Sequence, residues 1–417
     1  MKKLKVGIFG IKRGSSFANL FSINPNTEVV AICDYDELFL RNFLKDKEGI
    51  TGYSGYDKFL EHDLDIVVVC NYCTEHAPAA IKALDSGRHV LSEVIACKTL
   101  AEGVDLCRAV ERSKKVYMFG ENYCFFPYIQ EMERLYKEGV IGEYLYGECE
   151  YVHDCRGIWH IITGGKEHWR NWLPSTYYCT HSLGPIIKIT KTRPLKVVGF
   201  VVPNKLSREV GRIGDDWGLF VCIMDNCALT RVIAWSTGPH DSIWYRVHGT
   251  KGAMENNRWK DTGVLNLHTV ELTETLDIKE EKRSYIPEFI KYKEEAKKAG
   301  HGGSDFFVVW SFVDSIIKDE PPPIDIYTAM DMTLPGILAY RSACSGSIPL
   351  EVPDFRKEEE RKKYENDRWS PDPKDRNIPG QPYTSILGEI KIHDEIYRKV
   401  DEKRRKYLMD IEEKIKK

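Results

Sequence analysis

The sequence predicts two joined units: an α/β domain built on a parallel sheet, then an α+β domain with a mostly antiparallel open sheet and flanking helices. Three observations support this. Over residues 1–124, short strands apolar on both faces alternate with helical stretches, which requires a parallel sheet covered on both sides. From about residue 125 the strands lengthen, gain aromatic residues and are joined by loops suited to antiparallel pairing. The 417 residues exceed what one hydrophobic core usually serves, so two domains are expected.

In the first unit, residues 5–9 read as a strand, 10–16 as a polar glycine-containing turn, and 17–21 as the start of a helix. Strands follow at 28–33, 64–70, 89–91 and 116–119, with helices at 36–45, 56–61, 74–86 and 100–113 between them. The second unit, 125–355, opens with a helix at 129–138 stopped by Gly139. Its strands are 144–152, 195–202, 217–224, 228–235 and 244–249, and two late helices, 305–318 and 326–345, flank Pro321 to Pro323. Residues 356–417 form a highly charged extension, with a proline-rich stretch at 370–382 and a final helix rich in Lys and Glu. A solvated or interface-bound extension is expected there, with an oligomer contact as the sharper alternative.

Composition narrows the function. A net charge of -3 leaves no excess of Lys and Arg to neutralise phosphates, which argues against a nucleic-acid partner. No apolar run approaches the length of a membrane span. The basic start, Met1 to Lys5, leads into an apolar stretch that stops at Gly10, too short for a signal peptide and better read as the first strand. Of the 12 cysteines, Cys33, Cys70 and Cys222 sit inside apolar runs, where a thiol behaves as a small hydrophobe. Cys70 and Cys73 have the CxxC spacing, but no second pair answers it, so neither metal nor redox work is expected. The reading is a reducing, cytoplasmic compartment.

Gly10-Ile11-Lys12-Arg13-Gly14-Ser15 follows the first strand, where a Rossmann fold delivers helix N–H groups to a pyrophosphate. The fingerprint is imperfect, since Lys12 stands at the middle glycine and Ser15 at the last; Lys12 and Arg13 place positive charge beside the expected phosphates. Asp34, ending the second strand, offers a carboxylate to the adenosine ribose and repels a 2′-phosphate, so NAD is expected rather than NADP. Asn71 follows the strand at 64–70, in the crevice where ligands bind in open sheets.

These residues resemble the glucose–fructose oxidoreductase/inositol dehydrogenase/MocA (Gfo/Idh/MocA) family over roughly residues 4–355. The likeness rests on the glycine turn, on Asn71 to His76 followed by a helix, and on Gly87-Arg88-His89-Val90-Leu91-Ser92-Glu93. Most members carry Glu-Lys-Pro after that strand; here it is Glu93-Val94-Ile95, so the family's catalytic lysine is absent. The departure is similar to glycoside hydrolase family 109, in which NAD is retained and sugars are cleaved through transient oxidation. Glu121-Asn122-Tyr123, His153-Asp154-Cys155-Arg156, Thr180-His181-Ser182-Leu183-Gly184-Pro185 and Gly300-His301-Gly302-Gly303-Ser304-Asp305 point the same way.

The resemblance implies NAD held by Gly10, Lys12, Arg13, Gly14, Ser15, Asp34, Asn71, His76, Glu93 and Asn122. Oxidising a secondary alcohol needs a proton acceptor. Without the lysine, His181 and Tyr178 are the candidates, with Tyr123 as a proton relay and Glu93 beside the nicotinamide ribose. Asp154, Arg156 and His301 are expected to hold sugar hydroxyls. Trp159, Trp169 and Trp172 either stack on a sugar face or pack. His153, Asp154, His160, His168 and His181 are metal-ligand types, but their spacing matches no tight ligand motif and no metal is expected. Three readings follow: a sugar dehydrogenase, a redox-neutral glycosidase, and a non-catalytic NAD sensor. The expected partner is a small sugar or glycoside, and a homo-oligomer, dimer or tetramer, is implied by the resemblance.

Overall fold

The computed structural model describes residues 2–416 apart from Ser236. Its first sheet contains β1 (Leu4–Phe9), β2 (Thr27–Cys33), β3 (Thr51–Tyr53), β4 (Ile66–Val69), β5 (His89–Ser92) and β6 (Tyr117–Phe119), in the order β3-β2-β1-β4-β5-β6 and parallel throughout. Helices α1 (Ile11–Ile23), α2 (Glu37–Leu44), α3 (Tyr56–Leu60), α4 (His76–Asp85) and α5 (Leu100–Ser113) cover it. The order reverses direction at β1 and β4, and the C-terminal ends of those two strands open the crevice in which such sheets bind ligands. Phe17 and Phe21 of α1 are buried, and Phe9 is buried against α3, its ring stacked 4.4 Å from that of Tyr56; each contributes on the order of 2 kcal/mol through removal of apolar surface from water.

Two differences from the sequence expectation bear on the site. Helix α1 begins at Ile11, directly after Gly10, so the polar stretch 11–16 is the first turn and a half of a helix rather than a loop. Strand β3, which the sequence pattern missed, is only three residues long, half exposed, and closes the sheet edge beside β2.

The second sheet has nine strands, β7 (Tyr144–Asp154), β8 (Pro194–Val202), β9 (Trp217–Met224), β10 (Leu229–Trp235), β11 (Thr237–Gly249), β12 (Gly252–Asn256), β13 (Leu265–Leu272), β14 (Ile278–Tyr285) and β15 (Leu350–Glu351). All pairs are antiparallel except β10 with β7. Helix α6 (Pro127–Lys137) leads into it, and α7 (Trp159–Ile162), α8 (Thr180–Thr190), α9 (Lys293–Ala296), α10 (Ser304–Lys318) and α11 (Ile326–Cys344) follow. Helices α8 and α11 cover one face. The other face leaves Phe200, Val202, Ile223 and Leu229 exposed.

The charged extension is not loosely solvated. It contains α12 (Glu358–Tyr364) and the 23-residue α13 (Asp394–Lys416), and it is tied down by Arg341 on Asp367, Lys98 on Asp372 and the Ser385 hydroxyl on Asp215. Among the described residues, no helix is long and apolar enough to cross a membrane.

Candidate active site

The glycine turn is shaped by a close approach. Gly10 has φ 96°, and a Cβ there would lie 2.4 Å from the Cys70 carbonyl oxygen, so only glycine fits where β1 meets the end of β4. Gly14 does a different job: a Cβ would sit 2.6 Å from Ile8, and its absence lets α1 lie on the sheet. The Asp34 carboxylate receives the Ile11 N–H at 2.7 Å and the Asp36 N–H at 2.8 Å, tying the end of β2 to the start of α1. The α2 N-cap is Asp36, which leaves Asp34 free of that role.

Arg13 does not extend towards open phosphate space. Its Nε donates to Glu93 Oε1 at 2.6 Å, and its two terminal nitrogens donate to Asp305 at 2.7 and 2.8 Å. Asp305, fully buried at the head of α10, also accepts from Asn122 Nδ2 at 3.0 Å and faces His301 Nδ1 at 3.0 Å. Burial alone would raise its pKa, but the hydrogen bonds from Arg13 and His301 hold it well below the usual carboxylate range. A single carboxylate therefore joins the first turn of α1 to α10 across the boundary between the two sheets. In the sequence Asp305 is visible only as the end of the Gly300–Asp305 stretch, with no role of its own.

His181, at the start of α8, is 8% exposed. Its Nδ1 lies 2.8 Å from Glu121 Oε1, a carboxylate that is wholly buried and also accepts the Tyr123 N–H. That contact fixes the ring and leaves Nε2 as the nitrogen available to the cavity. Tyr123, Tyr151 and Tyr178 enclose the imidazole, with ring centroids 4.4, 4.7 and 5.4 Å away. Tyr178 precedes α8 in a 3-10 turn, Ser175–Cys179, so it and His181 do reach one site, though through a change of helix type. The Tyr178 hydroxyl receives Arg170 Nη1 at 3.3 Å; burial raises its pKa and Arg170 only partly offsets this, so it keeps its proton at neutral pH. Glu121 and Tyr151 were missed as site residues in the sequence. Glu121 is adjacent to Asn122 and Tyr123, and that proximity was the one available signal.

A cavity of about 430 Å³ runs from Gly10, Asp34 and Asn71 past Glu93, Asn122 and Tyr123 to His181, Tyr178 and His301. Lys12, Arg170 and Arg404 form a cationic wall along it. The Lys12 chain reaches solvent, yet its ammonium lies over the Phe39 ring and against the Ile161 carbonyl, and desolvation with Arg404 nearby lowers its pKa to about 8. Burial, reinforced by Arg170, lowers His168 to about 3, so it is neutral. Trp169 is also on the wall, stacked at 6.2 Å on Tyr178, whereas Trp159 and Trp172 are buried in packing.

Several expected site residues lie elsewhere. Asp154 and Arg156 make a two-pronged pair at 2.9 Å, with Arg156 also on Glu209, and neither lines the cavity; His153 and Cys155 from the same segment do. An i, i+2 acid–base pair satisfies itself locally, which the spacing alone does not reveal. His76 lines the wall, but its two ring nitrogens face the Ile95 and Asn71 carbonyls, and burial lowers its pKa, so it braces the crevice. Gly14 and Ser15 sit behind the turn, off the cavity wall. All 12 cysteines are free thiols, ten of them buried, and Cys70 and Cys73 make no disulfide. Among the described residues no group of three or more His, Cys, Asp or Glu is placed to hold a metal.

Residues 4–121 match the family model described as oxidoreductase family, NAD-binding Rossmann fold, and residues 222–362 match the glycosyl hydrolase 109 C-terminal domain. By these two matches the chain is similar to Gfo/Idh/MocA proteins of the glycosyl hydrolase 109 type. The chain is 28% identical over 394 residues to a glycosyl hydrolase family 109 protein of Solibacter usitatus, covering 84% of this chain and 88% of that one. It is 27% identical over 391 residues to an alpha-N-acetylgalactosaminidase of Tannerella forsythia, covering 81% and 82%. Its fold is shared with an oxidoreductase domain protein from Kribbella flavida (TM-score 0.71, 21% identity, 85% of this chain and 100% of that chain). It is also shared with a levoglucosan dehydrogenase in complex with NADH and levoglucosan (TM-score 0.71, 18% identity, 84% and 100%).

Proposed function

We propose that this protein oxidises a secondary hydroxyl of a sugar or glycoside, the C3 hydroxyl by preference, using bound NAD and His181 as the proton acceptor. One observation carries the proposal: a single cavity contains both the glycine turn of the NAD-binding domain and the buried Glu121–His181 pair.

The residues at the turn fit a dinucleotide. The N-terminus of the 13-residue α1 opens on the cavity, Lys12 and Arg404 lie on its wall, and Asn71 Oδ1 is buried with no partner. Gly10, Lys12 and Asn71 would hold the phosphates and neighbouring atoms, Asp34 the adenosine ribose, and Glu93 and Asn122 the nicotinamide end. When bound, NAD accepts a hydride from an alcohol carbon.

The chain's own groups handle the proton. His181 Nε2 takes it from the hydroxyl, and Glu121, held dry beneath the ring, stabilises the imidazolium that forms. Tyr178, which keeps its proton, can donate to an oxygen on the substrate's other side. Tyr123 and Tyr151 exclude water around the imidazole, and His301 is left to position hydroxyls. The open face of the second sheet is our proposed site for the implied homo-oligomer.

A second reading, redox-neutral glycoside cleavage, is favoured by the glycosyl hydrolase 109 match over residues 222–362. Oxidation at C3 acidifies the neighbouring C2 proton; the aglycone leaves, water adds, and the ketone is reduced again. Its first step uses His181 in the same way. The two readings separate when the protein is incubated with NAD and a panel of free sugars and aryl glycosides. NADH accumulation with free sugar identifies the dehydrogenase, and aglycone release without net NADH identifies the glycosidase. Neither signal across the panel would defeat both.

We further propose that NAD is preferred to NADP because Asp34 faces the ribose. A carboxylate oxygen has a second lone pair, so Asp34 can accept a ribose hydroxyl in addition to its two backbone donors. Asp34→Ala should raise KM for NAD about tenfold or more and relax exclusion of NADP. An unchanged ratio of the two cofactors' kcat/KM values would place the ribose elsewhere.

A further inference from the structure

The extension beyond residue 362 lies outside both matched family domains, yet it reaches the cofactor crevice. Along α13 the residues less exposed to solvent recur at Tyr397, Val400, Arg404, Tyr407 and Ile411, a stripe of helical period on an otherwise charged helix. The stripe touches both lobes. At one end the Tyr397 ring lies over Gly211 and is capped by the Lys166 ammonium, both in the second domain. At the other, Tyr407 packs on Phe39 of α2, and Lys45 of the first domain donates to the Lys414 carbonyl at 2.9 Å. Arg404 stands between these anchorages.

Arg404 Nη1 donates to the backbone carbonyls of His160 and Thr163, which pins the guanidinium at the rim. Its other nitrogens have no protein partner among the described residues, and no carboxylate lies within ion-pair distance of it or of Lys12. Two cations that face one cavity without carboxylate partners repel one another unless an anion sits between them. The N-terminus of α1 opens on the same space and favours an anion there too.

We propose that α13 is a strap across the cofactor crevice and that Arg404 is a pyrophosphate ligand supplied by the C-terminal extension, which slows release of the dinucleotide bound beneath it. The inference rests on the NAD-binding reading of this cavity. A strap of this kind suits chemistry that returns its hydride to the same substrate, because a cofactor regenerated in place has no need to leave. The dinucleotide enters and departs only when α13 lifts from α2.

The test uses the full chain. NAD, ADP-ribose and adenosine binding are measured by calorimetry, and NAD release is followed by stopped-flow displacement, for wild type, Arg404→Ala, Arg404→Lys and the exposed control Arg405→Ala. We expect Arg404→Ala to weaken NAD and ADP-ribose by about 10- to 100-fold, the scale of a lost charge-assisted hydrogen bond, and to speed NAD release. Adenosine binding should be unchanged, Arg404→Lys should recover part of the loss, and Arg405→Ala should match wild type. Unaltered NAD affinity and release in Arg404→Ala would overturn the proposal. An equal loss for adenosine would also overturn it, by showing that the substitution merely disturbs the crevice wall. If wild type itself binds neither NAD nor ADP-ribose, the NAD reading fails first and this inference with it.

Discussion

His181→Ala should lower turnover by at least about a hundredfold, the usual scale for removing a general acid–base group, while NAD affinity stays close to wild type. The two readouts separate because His181 meets the cavity through Nε2 at one end, whereas the residues proposed to hold NAD lie at the other, by the mouth of the parallel sheet. Glu121→Gln should also lower turnover, by at least about tenfold, because the amide keeps the shape beneath the ring but cannot stabilise its charged form. The carboxylate lies 2.8 Å from Nδ1 and is wholly buried, so water cannot replace it. Near wild-type turnover in His181→Ala would remove the imidazole from the mechanism and leave the enclosing tyrosines to explain proton transfer.

Arg13→Met should destabilise the folded protein by about 3 kcal/mol, because it leaves Asp305 as a fully buried carboxylate, and Glu93 as a partly buried one, without their cation. Arg13→Lys should not restore the loss, since a point charge cannot make the forked contacts to two carboxylates at once. The effect has a pH signature. Asp305 is held below the ordinary aspartate range in the folded state, so its contribution is present above about pH 4 and fades as pH falls towards the folded value. The stability gap between wild type and Arg13→Met should therefore narrow in acid. Denaturant unfolding at several pH values checks this; a gap independent of pH would show that the Arg13–Asp305 contact is not what the variant loses.

The pattern of residues revealed the parallel sheet because its strands are apolar on both faces, and α5 was located to the residue because Thr99 caps it and its apolar period is unbroken. Strand β14 left no such trace: Ile278–Tyr285 is a solvent-facing edge strand whose burial pattern shows no apolar face. The early start of α1 was hidden because Lys12 to Ser16 look like a loop until the fixed φ of Gly10 places them on a helix. At the site, His181 and Tyr178, the candidates once the lysine is absent, do line one cavity. Glu121 and Asp305 were not legible, because their partners, His181 and Arg13, are distant in sequence and only the fold brings them together. Arg404 belongs to the same class: on a Lys- and Glu-rich helix one arginine looks like the rest until the helix is seen to cross the crevice.

The most direct test of the central claim is a rapid-mixing experiment with the NAD-loaded protein and a turned-over substrate from the panel, prepared with hydrogen or deuterium at C3. Hydride transfer to NAD with His181 as proton acceptor should give a burst of reduced-nicotinamide absorbance that forms more slowly with deuterium and disappears in His181→Ala. Product formation with no reduced nicotinamide and no isotope effect would contradict it.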